Sequence, residues 1–358
     1  MSEGRSSRRS SQAITMGMVA ERAGVSPMTV SNIINNRKRV LESTRAAVMK
    51  AIDELGYVPN FAAQALASAA SIRVGFLYHN IENAFLSALL VGALSGTTRK
   101  GAQLLIRPYE TLDLDIIRNE LKALIRSGAN GILLGAPVCE MLDELGRDAF
   151  DVPLMAMAPG AEVVGVPSVM IDNVAAAREM TDHLLAMGHR RIAFIRASPE
   201  HLVRASRYEG YSDALAAAGI VIDPTLVVDG TMTFESGMAA AAILLNRTDR
   251  PSAIFASTDD MAAAVVSVAH RMGLRVPEDL SVVGFDDSPI AIKIWPTLTT
   301  VRQSGSAIAE RATIELIERL RAPSIRSLDP IYLPHQLVHR GSVAAPSAAR
   351  SRRIAPVR

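Results

Sequence analysis

The sequence has very little cysteine. Its 358 residues include one, Cys139, which cannot form a disulfide within the chain and has no neighbouring Cys or His at the spacing of a zinc site. Because free cysteine behaves as a small apolar side chain, we interpret Cys139 as a buried structural residue. The sequence predicts neither a metal site nor a cofactor.

Long apolar runs are missing as well. The first thirty residues hold no run of signal-peptide length, and no segment approaches the roughly 18 uninterrupted apolar residues of a membrane span. With 49% hydrophobic and 21% charged residues, the chain can bury a core large enough for two or three domains. We therefore expect a cytoplasmic, globular protein with no membrane partner.

Signatures of catalysis are also missing. The sequence has no glycine-rich phosphate loop after a strand, no GxSxG motif and no HExxH motif, and its seven histidines are scattered. These absences argue against an enzyme. A secreted binding protein is the second alternative, and it would require a signal peptide.

The net charge of +2 is unevenly distributed. Residues 1–71 carry nine Lys/Arg and five Asp/Glu, and residues 345–358 carry four Arg and no acid, which leaves −6 for residues 72–344. A basic N-terminal unit beside an acidic body suggests that this unit meets a polyanion. The segments 1–12 and 345–358 hold too little apolar content to fold, so we expect disordered basic tails, for which solubilisation is the simplest role.

Two short helices joined by a tight turn are expected after the N-terminal tail. Thr15 can cap a helix that ends near Ala23, and Gly24 permits the chain to reverse. Ser26 can cap the next helix, with Pro27 at its first position, where a missing N–H is harmless. This pattern is typical of a helix-turn-helix motif, although an ordinary helical hairpin has the same geometry.

A third helix is expected from Ser43 to Leu55, with Gly56 as its C-cap. Helical spacing predicts which side chains of the second and third helices face inward: Val30, Ile33, Ile34, Ala47, Val48, Ala51, Ile52 and Leu55.

From Arg73 onward, short apolar runs alternate with amphipathic segments. Seven runs are typical of buried parallel strands: RVGFLYH, AQLLIR, NGILLG, VPLMAM, RRIAFIR, SAIFAS and LSVVGF. The alternation predicts an α/β, doubly wound body. Its length favours two lobes, with the chain passing between them near residues 158–172, after the first four strands.

Residues 14–68 resemble the DNA-binding head of the lactose/galactose-repressor family. The segments that carry this resemblance are VAERAGVS, TVSNIIN, Thr44-Arg45, LGYVPN and the AxxLA pattern that begins at Ala63. The likeness continues through GHRRIAFI, RYEGYSDAL, STDDMA, GLRVPEDLSVVGFDDS, PTLTTV and LVHRGS, so it covers nearly the whole chain. It implies a three-helix helix-turn-helix domain at 13–59, a hinge helix or linker at 60–71, and a two-lobed body like a periplasmic binding protein at 72–344.

The resemblance implies a transcriptional regulator, most simply a repressor, that binds a near-palindromic operator in double-stranded DNA as a homodimer. The residues expected at the DNA are Thr15, Ser26, Pro27, Met28, Thr29, Ser31, Asn32, Asn35, Arg39, Thr44, Tyr57, Asn60, Ala63 and Leu66. Leu66 is expected to insert into the minor groove and kink the site, with ordinary core packing as the alternative. Since the C-terminal tail lacks a leucine heptad, a dimer is expected rather than a tetramer.

By the same resemblance, a small effector, either a sugar, a sugar acid or a similar molecule, binds between the lobes to Arg207 and Asp286. Ligands of open α/β sheets bind at the carboxyl ends of strands, where an arginine and a carboxylate can serve hydroxyl groups. The alternative is a surface ion pair without a ligand. The expected effector residues are Tyr78, Asn80, Phe85, Arg204, Arg207, Met232, Thr258 and Asp286.

Overall fold

The computed structural model of the chain describes residues 14–34, 41–57, 72–79, 84–322 and 327–346. The chain divides into two compact units, a head within residues 1–71 and a body within residues 72–358. Each unit is described by itself. In the described ranges, no helix combines the length and the apolar character needed to cross a membrane.

The head contains three helices: α1 (Met16–Ala23), α2 (Pro27–Ile34) and α3 (Glu42–Leu55). The Thr15 hydroxyl accepts a hydrogen bond from the Met18 N–H, and Gly24 closes α1 in the left-handed region at φ 66°. These features confirm the predicted first helix and turn. Helix α3 begins one residue earlier than predicted and ends, as predicted, at Gly56 with φ 61°.

The core of the head is formed by one small apolar cluster. Its buried members are Val19, Ala20, Val30, Ile33, Val48, Ala51 and Tyr57. Ile34, Ile52 and Leu55 pack against it, as predicted. The prediction for Ala47 was wrong, because this residue is exposed on the outer side of α3. Val48, the next residue, is buried as predicted, so the buried stripe of α3 is narrower than the sequence suggested.

The body contains two six-stranded sheets, which confirms the predicted two-lobed α/β architecture. The first sheet has the order β11-β5-β4-β3-β1-β2 and the second the order β12-β10-β9-β8-β6-β7. All strands run parallel except β12, which pairs antiparallel to β10. The strands are β1 (Arg73–His79), β2 (Gln103–Tyr109), β3 (Gly131–Gly135), β4 (Leu154–Met157), β5 (Ser168–Met170), β6 (Ile192–Arg196), β7 (Val227–Asp229), β8 (Ala253–Ala256), β9 (Ser281–Asp286), β10 (Thr299–Arg302), β11 (Ile331–Tyr332) and β12 (Gln336–Val338).

Helices cover both sheets. The first lobe is the first sheet with α4 (Ala84–Lys100), α5 (Leu114–Arg126), α6 (Leu142–Leu145) and α11 (Gly305–Arg321). The second lobe is the second sheet with α7 (Asn173–Ala186), α8 (Val203–Ala217), α9 (Phe234–Leu245) and α10 (Asp259–Arg271).

The chain crosses between the lobes three times, at residues 171–172, 303–304 and 333–335. The first crossing lies inside the predicted interval 158–172, but it follows five strands rather than four. The short strand β5 completes the first sheet before the chain leaves it, and three residues are too few to give a periodic signal. The return of α11 and β11 to the first lobe was not predicted.

Helices α4 and α11 pack unusually closely within the first lobe. A Cβ atom at Gly92 would lie 2.1 Å from the Ser306 carbonyl oxygen, and one at Gly96 would lie 2.7 Å from the Thr313 Cβ. Glycine at these two positions therefore allows the helix backbones to approach each other. The same packing brings the start of α11 against Phe85, because a Cβ at Gly305 would lie 3.0 Å from that ring.

Candidate functional site

The start of α2, the helix predicted to meet DNA, is fixed by a hydroxyl cap. The Ser26 hydroxyl accepts from the Thr29 N–H at 3.2 Å and lies 2.9 Å from the Thr29 hydroxyl. Pro27 opens the helix, and Met28 presents a 70% exposed side chain beside it. This end of the helix therefore offers apolar and hydroxyl groups to a groove rather than charges.

The other predicted DNA contacts fall into three groups. Ser31, Asn32 and Thr44 are half-buried on the head, and Thr15 is exposed as the cap of α1. Tyr57 lies in the core of the head with only 7% exposure, so its ring chiefly stabilises the fold. The remaining predicted contacts lie outside the described residues: Asn35, Arg39, Asn60, Ala63 and Leu66.

Arg207 is the centre of the predicted effector site. It lies on α8 with 2% exposure, and its Nε donates to the Asn173 Oδ1 at 3.1 Å. Its Nη1 donates to the Ser257 carbonyl oxygen at 2.5 Å, and its guanidinium carbon lies 3.5 Å from the centre of the Phe285 ring. Its Nη2 faces the Asp286 Oδ1 at 3.7 Å. Burial lowers the pKa of Arg207, while Asp286 and Asp259 raise it, and the group stays cationic at neutral pH.

Asp286 ends strand β9 with a φ of 108°, a backbone conformation that non-glycine residues rarely adopt. Its Oδ1 accepts from the Gln303 Nε2 at 2.6 Å, and Gln303 lies on the second crossing between the lobes. Burial raises the pKa of Asp286, against the opposing effects of Arg207 and Gln303. Such strain and such a pKa are typical of functional positions.

A second carboxylate holds the Asp286 turn in place from behind. Asp259 is fully buried at the start of α10, where its Oδ1 accepts from the Thr300 hydroxyl at 2.6 Å and its Oδ2 from the Ser288 N–H at 2.7 Å. Burial and the nearby Asp286 raise the pKa of Asp259 to about 8, against the hydrogen bonds from Thr300 and Ser288, which lower it.

We call Asn173, Arg207, Phe285, Asp286 and Gln303 the interlobe site. A cavity of about 230 Å³ adjoins it, lined by Phe85 from the first lobe and by Asp286 and Gln303. The structure thus places Phe85 and Asp286 on one cavity, and Asp286 connects that cavity to the buried Arg207. At such a pair, the guanidinium can donate to one hydroxyl of a polyol, and the carboxylate can accept from the next.

The remaining predicted effector residues are placed differently. Thr258 is buried, and its hydroxyl caps α10 by accepting from the Met261 N–H at 3.3 Å. Arg204 donates to the Asp229 Oδ1 at 2.7 Å and to the Ala197 carbonyl oxygen at 2.9 Å. Tyr78 packs edge-on against Phe76, and Met232 is half-buried at φ 65°. Asn80 lies outside the described residues.

Sequence reasoning missed Asn173, Gln303 and Asp259. The first two come directly after crossings or strand ends, which is the position of ligand groups in such sheets. Asp259 follows strand β8 in the segment STDD, so its place after a strand was available as a signal. In the described part of the chain, no group of three or more His, Cys, Asp or Glu side chains could hold a metal ion.

Known proteins share both units. Residues 15–60 match the family described as bacterial regulatory proteins, lacI family, and residues 181–343 match the periplasmic binding protein-like domain. The chain is 34% identical over 340 residues to the HTH-type transcriptional regulator CelR of Thermobifida fusca, covering 90% of this chain and 97% of that one.

Two solved structures show the same architecture. The complex of CelR with cellobiose has a TM-score of 0.67 at 32% identity and covers 92% of this chain and 99% of that one. The Lac repressor dimer bound to operator and the anti-inducer ONPF has a TM-score of 0.71 at 25% identity, covering 93% and 100%. A transcriptional regulator's head thus precedes a ligand-binding body in one chain, and the chain belongs to the lacI family of bacterial regulatory proteins.

Proposed function

We propose that this regulator is a repressor that binds a near-palindromic operator as a homodimer and responds to a small polyhydroxylated effector held between its lobes. The proposal of an effector is supported above all by the buried Arg207–Asp286 pair, which lies beside a cavity to which both lobes contribute. A pair inside the cleft fits a ligand better than the surface ion pair that was the alternative. The related CelR was solved with cellobiose, which makes cellobiose the first molecule to test.

We further propose the division of labour along the chain. Residues 13–59 bind DNA, residues 60–71 link head to body, and residues 72–344 bind the effector and the second copy. The predicted head contacts, from Thr15 to Leu66, read or position the operator, and the protein acts in the cytoplasm, where the DNA is. We also propose that the chain works by binding and not by catalysis, as its relatives are named transcriptional regulators.

The charges around Arg207 bear on the charge of the effector. Arg204 and Arg196 both bind the single Asp229 carboxylate, at 2.7 and 2.6 Å, so one positive charge in this group is not balanced. Arg207 in turn faces Asp286. A neutral polyol matches this pair, which holds one charge of each sign, and the surplus positive charge beside Asp229 makes a sugar acid the alternative.

A thermal-shift screen tests this function. The full chain is heated with cellobiose and with panels of neutral sugars, sugar acids and sugar phosphates. A ligand at 100 times its dissociation constant should stabilise the protein by about 2.7 kcal/mol. The Asp286→Asn variant tolerates the positive φ and should keep operator binding while losing both the shift and the response to ligand. Loss of operator binding together with a collapsed melting temperature would instead assign Asp286 a structural role.

A further inference from the structure

One side chain outside the interlobe site joins the two lobes. Glu140 lies in a short 3₁₀ segment, Val138–Met141, that follows strand β3 of the first lobe. Its Oε1 accepts from the Gly160 N–H of the same lobe at 2.6 Å, and its Oε2 accepts from the Leu202 N–H of the second lobe at 2.9 Å. Each carboxylate oxygen therefore holds a backbone group, one on each side of the cleft.

The backbones of the two lobes also touch at this point. A Cβ atom at Gly160 would lie 2.0 Å from the Val203 nitrogen and 2.3 Å from the Leu202 carbonyl carbon. Both nearest atoms belong to the main chain, so neither can move aside as a flexible side chain would. Glycine is the residue that permits this approach, and the approach is what brings the Leu202 N–H within reach of Glu140.

The hydrogen bond from Leu202 to Glu140 lies at the N-terminus of helix α8. Leu202 is the N-cap of α8, and its apolar side chain makes no capping hydrogen bond. Glu140 accepts from the N–H of Leu202 itself, from the other lobe, and its negative charge also suits the positive end of the helix dipole. The same helix carries Arg207 little more than one turn further on. The contact thus ties the first lobe to the element that holds the effector arginine.

A rotation of one lobe against the other would lengthen this contact in proportion to its distance from the rotation axis. Strand β6, which leads to Leu202, stands three places from β10, which leads to the second crossing. At the usual strand spacing this is about 14 Å, so a lobe rotation of about 10° would separate the partners by about 2.5 Å. A hydrogen bond cannot survive that change. A rotation of this size about the second crossing would therefore break the bond to Leu202.

We propose that Glu140 is a latch between the lobes, which holds the body closed by capping α8 from the opposite side of the cleft. Removing it should shift the body toward an open arrangement without unfolding either lobe. A ligand that binds only between closed lobes would then bind more weakly, a consequence that rests on the proposed function. The latch itself can be tested without any ligand or operator.

Hydrogen exchange of the full, ligand-free chain provides the test. Peptides covering 157–165 and 198–206 report the Gly160 and Leu202 amides, and a peptide of the buried strand β8 reports the stability of the whole body. In Glu140→Gln, one amide oxygen replaces two carboxylate oxygens, and we expect about tenfold faster exchange in the 198–206 peptide with β8 unchanged. Glu144→Gln is the matched control, because Glu144 is exposed on α6, the short helix that follows this segment, and the variant should exchange like the wild type.

A second variant approaches the latch from the other side. Gly160→Ala keeps Glu140 but inserts a methyl group where main-chain atoms stand 2.0 Å away, so it should force the lobes apart and accelerate the same 198–206 peptide. Unchanged exchange of that peptide in both variants would overturn the proposal. So would a uniform acceleration that includes β8, because it would show that Glu140 stabilises the whole fold rather than one contact.

Discussion

Asp286 and Asp287 are neighbours in the chain, yet their carboxylates point to different partners and their pKa values shift in opposite directions. Asp286 faces the buried Arg207, and burial raises its pKa. Asp287 lies between Arg302 and Arg340, at 2.6 and 2.5 Å, and these two arginines outweigh burial and lower its pKa. Both residues have positive φ, at 108° and 53°, and this kinked backbone is what separates the two side chains. The Asp286 carboxylate thus faces Arg207, whereas the Asp287 carboxylate connects the turn to Arg302 at the end of β10 and to Arg340, which follows β12.

The first prediction concerns Asp287. Asp287→Asn leaves two arginines without their acid, and we expect a loss of about 1–3 kcal/mol in the free energy of unfolding at pH 7. Because the folded-state pKa is lowered, the wild type holds this stability above the ordinary aspartate pKa and loses it as the pH falls further. Denaturant titrations at pH 7 and pH 3 measure the difference, which should shrink at pH 3. A difference that is equal at both pH values would contradict the ion-pair explanation.

The second prediction concerns Asp259, whose effect on stability should change with pH in the direction opposite to that of Asp287. Because the folded state keeps the proton of Asp259 up to about pH 8 and the unfolded chain releases it near its ordinary pKa, the folded state binds more protons between these values. The wild type should therefore lose stability as the pH rises through this window. Asp259→Asn copies the protonated form: its Oδ1 can accept from the Ser288 N–H, and its Nδ2 can donate to the Thr300 oxygen once that hydroxyl, which donates to Asp259 in the wild type, rotates to accept. Between pH 5 and pH 9, the melting temperature of the variant should rise relative to that of the wild type as the pH increases. A constant difference between the two melting temperatures would refute the assignment.

The third prediction concerns base reading by α2. Asn32 can pair with adenine N6 and N7, a contact worth about 1–3 kcal/mol of discrimination, whereas Pro27 and Met28 favour apolar contact with thymine methyl groups. Operators are selected from random DNA with the wild type and with Asn32→Ala. We expect one base position in each half-site to lose its preference in the variant. Identical selected sites would show that Asn32 reads no base.

The fourth prediction concerns the linker at 60–71, which lies outside the described residues. Contacts to phosphates alone give salt-sensitive and poorly specific binding, so an additional contact must distinguish the operator. Leu66 is the apolar candidate in a segment of small residues, and its insertion would unstack a base step at a cost of a few kcal/mol, offset by contacts in the bent DNA. Leu66→Ser should weaken specific binding and reduce operator bending, as measured by fluorescence energy transfer across the site. The melting temperature should barely change, and intact bending would remove Leu66 from the mechanism.

The predictable parts of the fold are those that neighbouring residues in the sequence determine by themselves. Thr15, Gly24, Ser26 and Gly56 each fix a helix end through their own backbone or side chain, and all four act as the sequence indicated. The seven apolar runs became strands because each is long enough to show its burial by itself. Strands β5, β7 and β11 have two or three residues each and are held by pairing with distant strands, so no local pattern announces them.

The candidate site was predictable only in part, for the same physical reason. Arg207 and Asp286 were found because the family resemblance marks them. Gln303 contacts Asp286 only because the chain crosses between the lobes at that point, and Asn173 meets Arg207 only because α7 packs on α8. Such contacts are decided by tertiary packing. The assignment of Ala47 failed similarly, since helical spacing alone does not tell how wide the buried stripe of α3 is.

The packing of α4 against α11 has a consequence for how this chain is made and how it can be divided. Helix α11 begins at Gly305 and follows nearly all residues of the second lobe in the chain, yet it packs on α4 of the first lobe, where Gly92 and Gly96 allow the close approach. The first lobe therefore cannot be completed on the ribosome until the second has been synthesised. A single cut cannot release either lobe as an intact module, and a chimera that exchanges first lobes between two relatives has to transfer residues 72–170 together with 305–332.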